Sequence, residues 1–353
     1  MRALPEGERP WCSGVAVAAG TGSGPLLKDA FGWAVRYGSY DESADRGVEL
    51  PRGQWVPARS DTVFDLASLT KLFTTILAVR AVERGDIALD GRVASYAPGF
   101  TAAAEHGITV RQLLTHTSGL LPELPLYEYA DEEQRLARLS AEPPTTQPGA
   151  ARRYSDLNFL LLQRVLERAC GRPLDRLVHD TITGPLGMAD TRFCPPSSWL
   201  PRIAATEDQR RPWGKLDRGM LRGVVHDENA WALGGVAGHA GLFSTAGDLA
   251  ALCRALLRDG GGVVSPASVE LLLTAPGLGF EVDQPWYMGD LAGRGAAGHT
   301  GFTGTSLVVD RARDAYLVLL ANTVHPRRRL ADNTPRATAG TALAAALGQA
   351  RCR

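Results

Sequence analysis

Ser68 and Lys71 are the residues of this chain best placed to do chemistry together. They lie in Phe64-Asp-Leu-Ala-Ser-Leu-Thr-Lys-Leu-Phe-Thr-Thr75. The stretch reads as the start of a buried helix, and residues three apart share a helical face. The hydroxyl and the amine would therefore point into one pocket, within hydrogen-bond reach. A serine hydroxyl is a poor nucleophile until a neighbouring base takes its proton. A lysine serves as that base if its surroundings depress its pKa. Leu66, Leu69, Leu72, Phe73, Ile76, Leu77 and Val79 make the segment apolar on nearly all sides, as a core helix is. A low-dielectric core is where a neutral lysine costs least. The chain has only three lysines, Lys28, Lys71 and Lys215. Prolines stand three positions before the other two, so Ser-x-x-Lys occurs once.

Composition frames this pair. The 353 residues are 44% hydrophobic and 22% charged, long enough for one large domain or two interleaved ones. Formal net charge is zero, which gives no footprint for nucleic acid or an anionic membrane. Five scattered cysteines contain no Cys-x-x-Cys pair and read as free thiols in a reducing compartment. The opening MRALPEGERPW places Glu, Arg and Pro where a signal peptide needs an apolar run. The apolar run from Gly14 to Gly20 is too short to span a bilayer. The expected location is cytoplasmic.

Elements that would position the pair can be read along the chain. Ser13 to Ala19, a Gly/Ser turn, and Ala30 to Gly38 read as a β-hairpin. Pro51 to Asp61 reads as a polar connection into the Ser68 helix, which should stop near Gly85. Val110 to Gly119 reads as a short helix closed by glycine, with His116 in a structural, hydrogen-bonded role. Residues 123–147 read as a polar, helix-rich surface. Arg152-Arg-Tyr-Ser-Asp-Leu-Asn158 opens an apolar helix, with Ser155 or Asp156 available as cap. Residues 197–222 read as irregular. Gly223 to Gly247 is dense in glycine, which suggests backbone packed against backbone or a ligand. It ends in a helix from Asp248 to Leu257. Residues 297–310 and 315–322 read as two adjacent strands, and Thr338 to Leu347 as a last alanine-rich helix.

With Ser68-x-x-Lys71 in place, two further stretches complete a pattern. Tyr154-Ser155-Asp156 resembles the Tyr-x-Asn motif of the serine β-lactamase and penicillin-binding protein superfamily. His299-Thr300-Gly301 resembles its Lys-Thr-Gly motif. Their order and spacing are similar to the class C-like branch, with its β-lactamases, D-alanyl-D-alanine carboxypeptidases, family VIII esterases and acyltransferases. Leu113-Leu-Thr-His-Thr-Ser-Gly-Leu120 also resembles this branch. The blocks around Val225-His-Asp-Glu-Asn-Ala and Gly234 to Ala246 are similar to a subgroup that includes N-acetylmuramoyl-L-alanine amidases.

The resemblance implies an α+β, β-lactamase/transpeptidase-like fold: an antiparallel sheet flanked by helices, with an inserted mostly helical domain. Residues 1–84 and 221–353 would form the sheet domain and 85–220 the helical one, with the site between them. Ser68 would attack a carbonyl and form an acyl-enzyme. Lys71 would be a neutral base, or would hold Tyr154 in a state able to accept the proton. The backbone N–H groups of Ser68 and of Phe302, the residue following His-Thr-Gly on its strand, would form the oxyanion hole. Asp156, His299, Thr300 and Gly301 would face substrate. His226, Asp227 and Asn229 are read as substrate contacts, with a hydrogen-bonded loop lock as the alternative; His239 is read as structural.

Two departures from the pattern shape the expected substrate. Asp156 replaces an asparagine, and an ionised carboxylate cannot donate a hydrogen bond as an amide does. It would pair with Lys71 or cap its helix instead. His299 replaces a lysine, which removes a permanent positive charge suited to a substrate carboxylate. Both favour a small ester or amide lacking that carboxylate, with water or an amine or alcohol as acyl acceptor. The competing expectations are a transacylase, a muramoyl amidase or weak β-lactamase or carboxypeptidase, and a non-catalytic binding module. No metal, cofactor, nucleic acid or membrane partner is expected.

Overall fold

The computed structural model describes residues 1–7, 10–329 and 332–350. Its centre is a seven-stranded sheet built from both ends of the chain. The strands are β1 (Gly14–Thr21), β2 (Gly24–Val35), β3 (Val56–Pro57), β4 (Glu281–Val282), β5 (Ala297–Thr300), β6 (Ser306–Asp310) and β7 (Ala315–Ala321). They lie in the order β4-β5-β6-β7-β1-β2-β3 and every neighbouring pair is antiparallel. β1 and β7 are buried along almost their whole length. That explains their near-continuous Ala, Val and Leu: a strand covered on both faces has no need to alternate.

Helices cover both faces. On one side Val17, Val308 and Leu317 of the sheet pack with Tyr287, Met288 and Leu291, and the C-terminal helix Thr334–Ala350 lies over them through Ala339, Leu343 and Ala344. On the other side lie α1 (Thr70–Glu83) and the helix Ala246–Leu257, sharing one core with α2 (Asp156–Cys170). α1 is apolar all round because it is buried all round. It stops at Arg84, and Gly85 follows with φ 77°, the left-handed conformation in which glycine ends helices without a Cβ penalty. No described helix is long and apolar enough to cross a membrane.

Four local readings change. The stretch 297–310 is not one strand but the hairpin β5–β6, because the chain turns through 301–305, where Gly301 N–H donates to the Thr305 carbonyl at 2.8 Å. The segment 197–222 is not irregular throughout: Ala205–Gln209 pairs with Gly219–Arg222. A second polar hairpin, Tyr37–Asp41 with Arg46–Glu49, precedes the connection at 51–61. The last helix begins at Thr334 rather than 338.

Candidate active site

Ser68 lies not inside α1 but in the 3-10 turn Ala67–Leu69 that leads into it. In a 3-10 turn side chains at i and i+3 eclipse, so the turn still sets serine over lysine. Lys71 Nζ is 3.0 Å from Ser68 Oγ. Ala67, just before Ser68, has φ 46°, a conformation that costs a residue with a Cβ about 1–2 kcal/mol. The strained residue is held by Asp65, whose Oδ1 accepts the Ala67 N–H at 2.9 Å.

The partner strand reaches this turn through a glycine. A Cβ on Gly301 would stand 2.1 Å from Thr305 Oγ1 and 2.4 Å from the Leu66 carbonyl. Only glycine lets the end of β5 come this close to the backbone beside Ser68. Thr303 and Thr305 complete the seam by donating to the carbonyls of Asp65, at 2.7 Å, and Leu66, at 3.0 Å. Phe302 therefore sits in the turn after β5, not on the strand, with its ring half exposed.

Lys71 is fully buried, and three polar partners lie within about 3 Å of its ammonium. They are Ser68 Oγ, the His239 carbonyl at 3.1 Å and Asp156 Oδ1 at 2.8 Å. Burial pulls its pKa down, but the Asp156 carboxylate and then Tyr154 outweigh burial, and the net direction is up. That direction favours an ammonium, and with it the second of the two roles weighed for Lys71, holding Tyr154 in a state able to accept the proton. Asp156 is the cause: it opens α2 beside Ser155 without its side chain, or that of Ser155, capping the helix. Asp156 thus turns to Lys71, while Ser155 Oγ donates to the Leu121 carbonyl.

Tyr154 is half-buried, its ring centre 4.9 Å from Lys71 Nζ, and Lys71 and Ser68 act on its hydroxyl. Burial raises its pKa more than the neighbouring ammonium lowers it, so it rests as the phenol. His116 stacks on the Tyr154 ring at 4.6 Å between centroids. Its Nδ1 accepts the Ser155 N–H at 3.1 Å. Burial, then Lys71, holds His116 well below the usual range, so it packs the tyrosine as a neutral ring. His299 lies 5.9 Å from the same ring. It is buried, and burial brings it to about 4; its Nδ1 is 2.6 Å from the Thr300 carbonyl. His299 is neutral at pH 7.

These groups open onto a cavity of about 740 Å³ whose lining includes Ser68, Tyr154, His299, Trp286, Phe302 and Arg336. Thr300 and Gly301 line it as well. Trp286 and Arg336 were not singled out in the sequence, because they come from two distant segments with no motif of their own. Arg336 is buried, Nη2 donates to the Gly301 carbonyl at 3.2 Å, and Nε has no hydrogen-bond partner. Burial lowers it to about 10, still a cation at neutral pH.

The glycine-dense block stands behind the site. Asn229 uses its amide on the backbone at Tyr127, 3.2 Å, and Leu124, 2.8 Å. Asp227 caps the helix Glu228–Ala232 through the Ala230 N–H and accepts from His239 Nε2 at 2.8 Å. His226 bonds Glu207 through Nε2 at 2.9 Å and gives its backbone N–H to Asp65 Oδ2 at 2.7 Å. The polar groups read as substrate contacts are thus committed to the protein, as the loop-lock alternative has it. Candidate ligand atoms of Asp156, Asp227 and His239 gather within 4.8 Å, but the Lys71 ammonium lies against this group and supplies its positive charge.

The comparisons agree with this fold. The Beta-lactamase family profile matches residues 5–341, and the chain belongs to that family. It is 35% identical over 311 residues to an Escherichia coli K12 protein provisionally named a D-alanyl-D-alanine carboxypeptidase, covering 77% of this chain and 71% of that one. Among solved structures, a class C β-lactamase superposes with TM-score 0.73 at 19% identity, over 95% of this chain and 93% of that one. A mutant of the simvastatin synthase LovD from Aspergillus terreus gives 0.71 at 22%, over 99% and 93%. At these identities the solved structures establish the fold: the β-lactamase/transpeptidase fold. Membership of the Beta-lactamase family makes the protein an enzyme of the serine-hydrolase type.

Proposed function

We propose that this protein hydrolyses a small-molecule ester or amide through an acyl-enzyme on Ser68. The observation that carries the reading is the contact chain Ser68–Lys71–Asp156 with Tyr154 beside its first two members, at the wall of an open cavity. Ser68 Oγ bonds to the substrate carbonyl carbon, and its proton passes to Tyr154 Oη as Tyr154 gives its own proton to the departing oxygen or nitrogen. The phenolate character that develops in between is stabilised by the Lys71 ammonium beside it. The carbonyl oxygen takes up negative charge against the N–H groups of Ser68 and Phe302. Water then repeats the relay in reverse and frees the acid. The relay draws only on protein groups.

A neutral His299 and an Asp156 turned away to Lys71 support a substrate recognised mainly by shape and apolar contact, with Trp286 and Phe302 at the cavity wall. Arg336 supports a second reading, a carboxypeptidase acting on a D-alanyl-D-alanine terminus, the activity for which the enterobacterial relatives are named. A transacylase would use the same acyl-enzyme with an amine or alcohol in place of water. The free thiols of Cys12, Cys170, Cys194 and Cys253 fit a cytoplasmic site of action. The test is turnover of p-nitrophenyl esters, simple amides and a D-alanyl-D-alanine peptide. The proposal expects ester or amide hydrolysis that is lost in Ser68→Ala. Turnover confined to the peptide would favour the carboxypeptidase, and turnover that appears only with added amine or alcohol would favour the transacylase.

A further inference from the structure

Asp65 is a fully buried carboxylate that the acyl-transfer relay does not use. Its two oxygens accept two backbone N–H groups from distant parts of the chain. Oδ1 takes Ala67, the strained residue before the nucleophile, at 2.9 Å, and Oδ2 takes His226 at 2.7 Å. Its carbonyl oxygen accepts from Thr303 Oγ1 at 2.7 Å, one residue past Phe302. One residue thus touches the chain next to each of the two N–H groups assigned to the oxyanion hole. The structure behind it is stiff. His226 is bonded to Glu207, and Glu207 is bound by Arg328 through its backbone N–H, Nε and Nη2. The His226 ring and the Arg328 guanidinium both lie against the Phe302 ring, at 5.5 and 5.7 Å.

We infer that Asp65 is a positioning residue that sets the two oxyanion-hole donors against each other, with the His226–Glu207–Arg328 network as its anchor. The inference rests on the acyl-enzyme reading of Ser68. It explains why an unstrained residue is not found at position 67: the turn is held open by a side chain rather than by its own preference. It also explains the Val225-His226-Asp227 stretch, whose backbone is fastened to Asp65. Asparagine cannot replace this carboxylate. It offers one acceptor oxygen and a donating NH2, so one of the two backbone N–H groups would face another donor.

The test uses phosphonylation by a fluorophosphonate, whose tetrahedral product loads the oxyanion hole, together with ester hydrolysis. In Asp65→Ala and Asp65→Asn the phosphonylation rate constant and kcat should fall about 100-fold, the cost of misplacing catalytic groups by about an ångström. KM should stay within about threefold. Thr303→Val, nearly isosteric, removes only the second tether and should lose about tenfold in kcat by the same argument, which keeps the idea testable if both Asp65 variants fail to fold. Glu83→Gln, at the other end of α1, controls for stability alone and should keep wild-type rates. Wild-type rates in Asp65→Ala or Thr303→Val would overturn the inference, as would losses confined to KM or matched by Glu83→Gln. An inert wild type is a different result: it would overturn the reading of Ser68 and this inference with it.

Discussion

The two ends of α1 carry the same kind of helix into opposite situations. At the C-terminal end Glu83 accepts from the Ser265 N–H at 2.6 Å, from Ser268 Oγ and from Arg80 at 2.9 Å. Burial alone would raise its pKa, but these bonds bring it to about 2. At the N-terminal end the turn is strained at Ala67, an ammonium is fully buried, and a tyrosine and a histidine rest neutral beside it. The C-terminal end ties α1 to the helix Pro266–Leu273. The N-terminal end keeps a hydroxyl facing open space. Local rules are kept where the protein needs only cohesion and broken where it needs reactivity.

Substitutions can break this contrast, beginning with the largest effect. Tyr154→Phe removes the proton carrier and should lower kcat by about 10²–10⁴-fold while leaving the fold intact, measured by ester turnover and thermal melting. Asp156→Asn should act on both properties. It leaves Lys71 buried without its carboxylate, at a cost of about 3 kcal/mol. Burial then prevails and the lysine pKa falls. Wild-type Lys71 has its folded pKa raised, so its contribution to stability is present below the unfolded value of 10.5 and is lost as pH rises through the folded value. Denaturant unfolding of both proteins from pH 9 to 12 should show wild-type stability falling above pH 10.5 and the variant without that loss.

Smaller effects sharpen the comparison. Glu83→Gln should cost about 2 kcal/mol of stability with kcat/KM within twofold. Glu83 has a depressed folded pKa, so its contribution is present above 4.5 and fades as pH falls toward about 2. His299 is also depressed, from 6.5 to about 4, so stability from its neutral form is present above 6.5 and fades across that interval. Melting curves of His299→Gln should fall less steeply than wild type between pH 6.5 and 4. The same curves for Glu83→Gln should lie below wild type above pH 4.5 and converge with it as pH falls toward about 2.

The Ser68–Lys71 contact was legible because the two are neighbours in sequence, and the i,i+3 relation survives the change from α to 3-10 geometry. Tyr154 and His299 were legible only by resemblance, since nothing local joins them to Ser68. The protonation of Lys71 was not legible: it depends on Asp156, which is 85 positions away and could equally have capped its own helix. Phe302 was placed on a strand because Thr-Gly-Phe-Thr-Gly-Thr continues into apolar sequence; the turn depends on the Gly301–Thr305 bond and on the seam with Leu66. The strand Ala205–Gln209 was missed because Thr, Glu, Asp and Gln do not look buried. All five residues are, and Glu207 is there to receive His226 and Arg328. The helical surface at 123–147 and the last helix were legible from composition, the latter with its start four residues late.

The most direct test of the acyl-enzyme is the intact mass of the protein after a fluorophosphonate, with peptide mapping of the product. The account predicts one phosphonyl group per chain, on the peptide that contains Ser68, and none on Ser68→Ala. An adduct elsewhere, or an unmodified wild type, would contradict it.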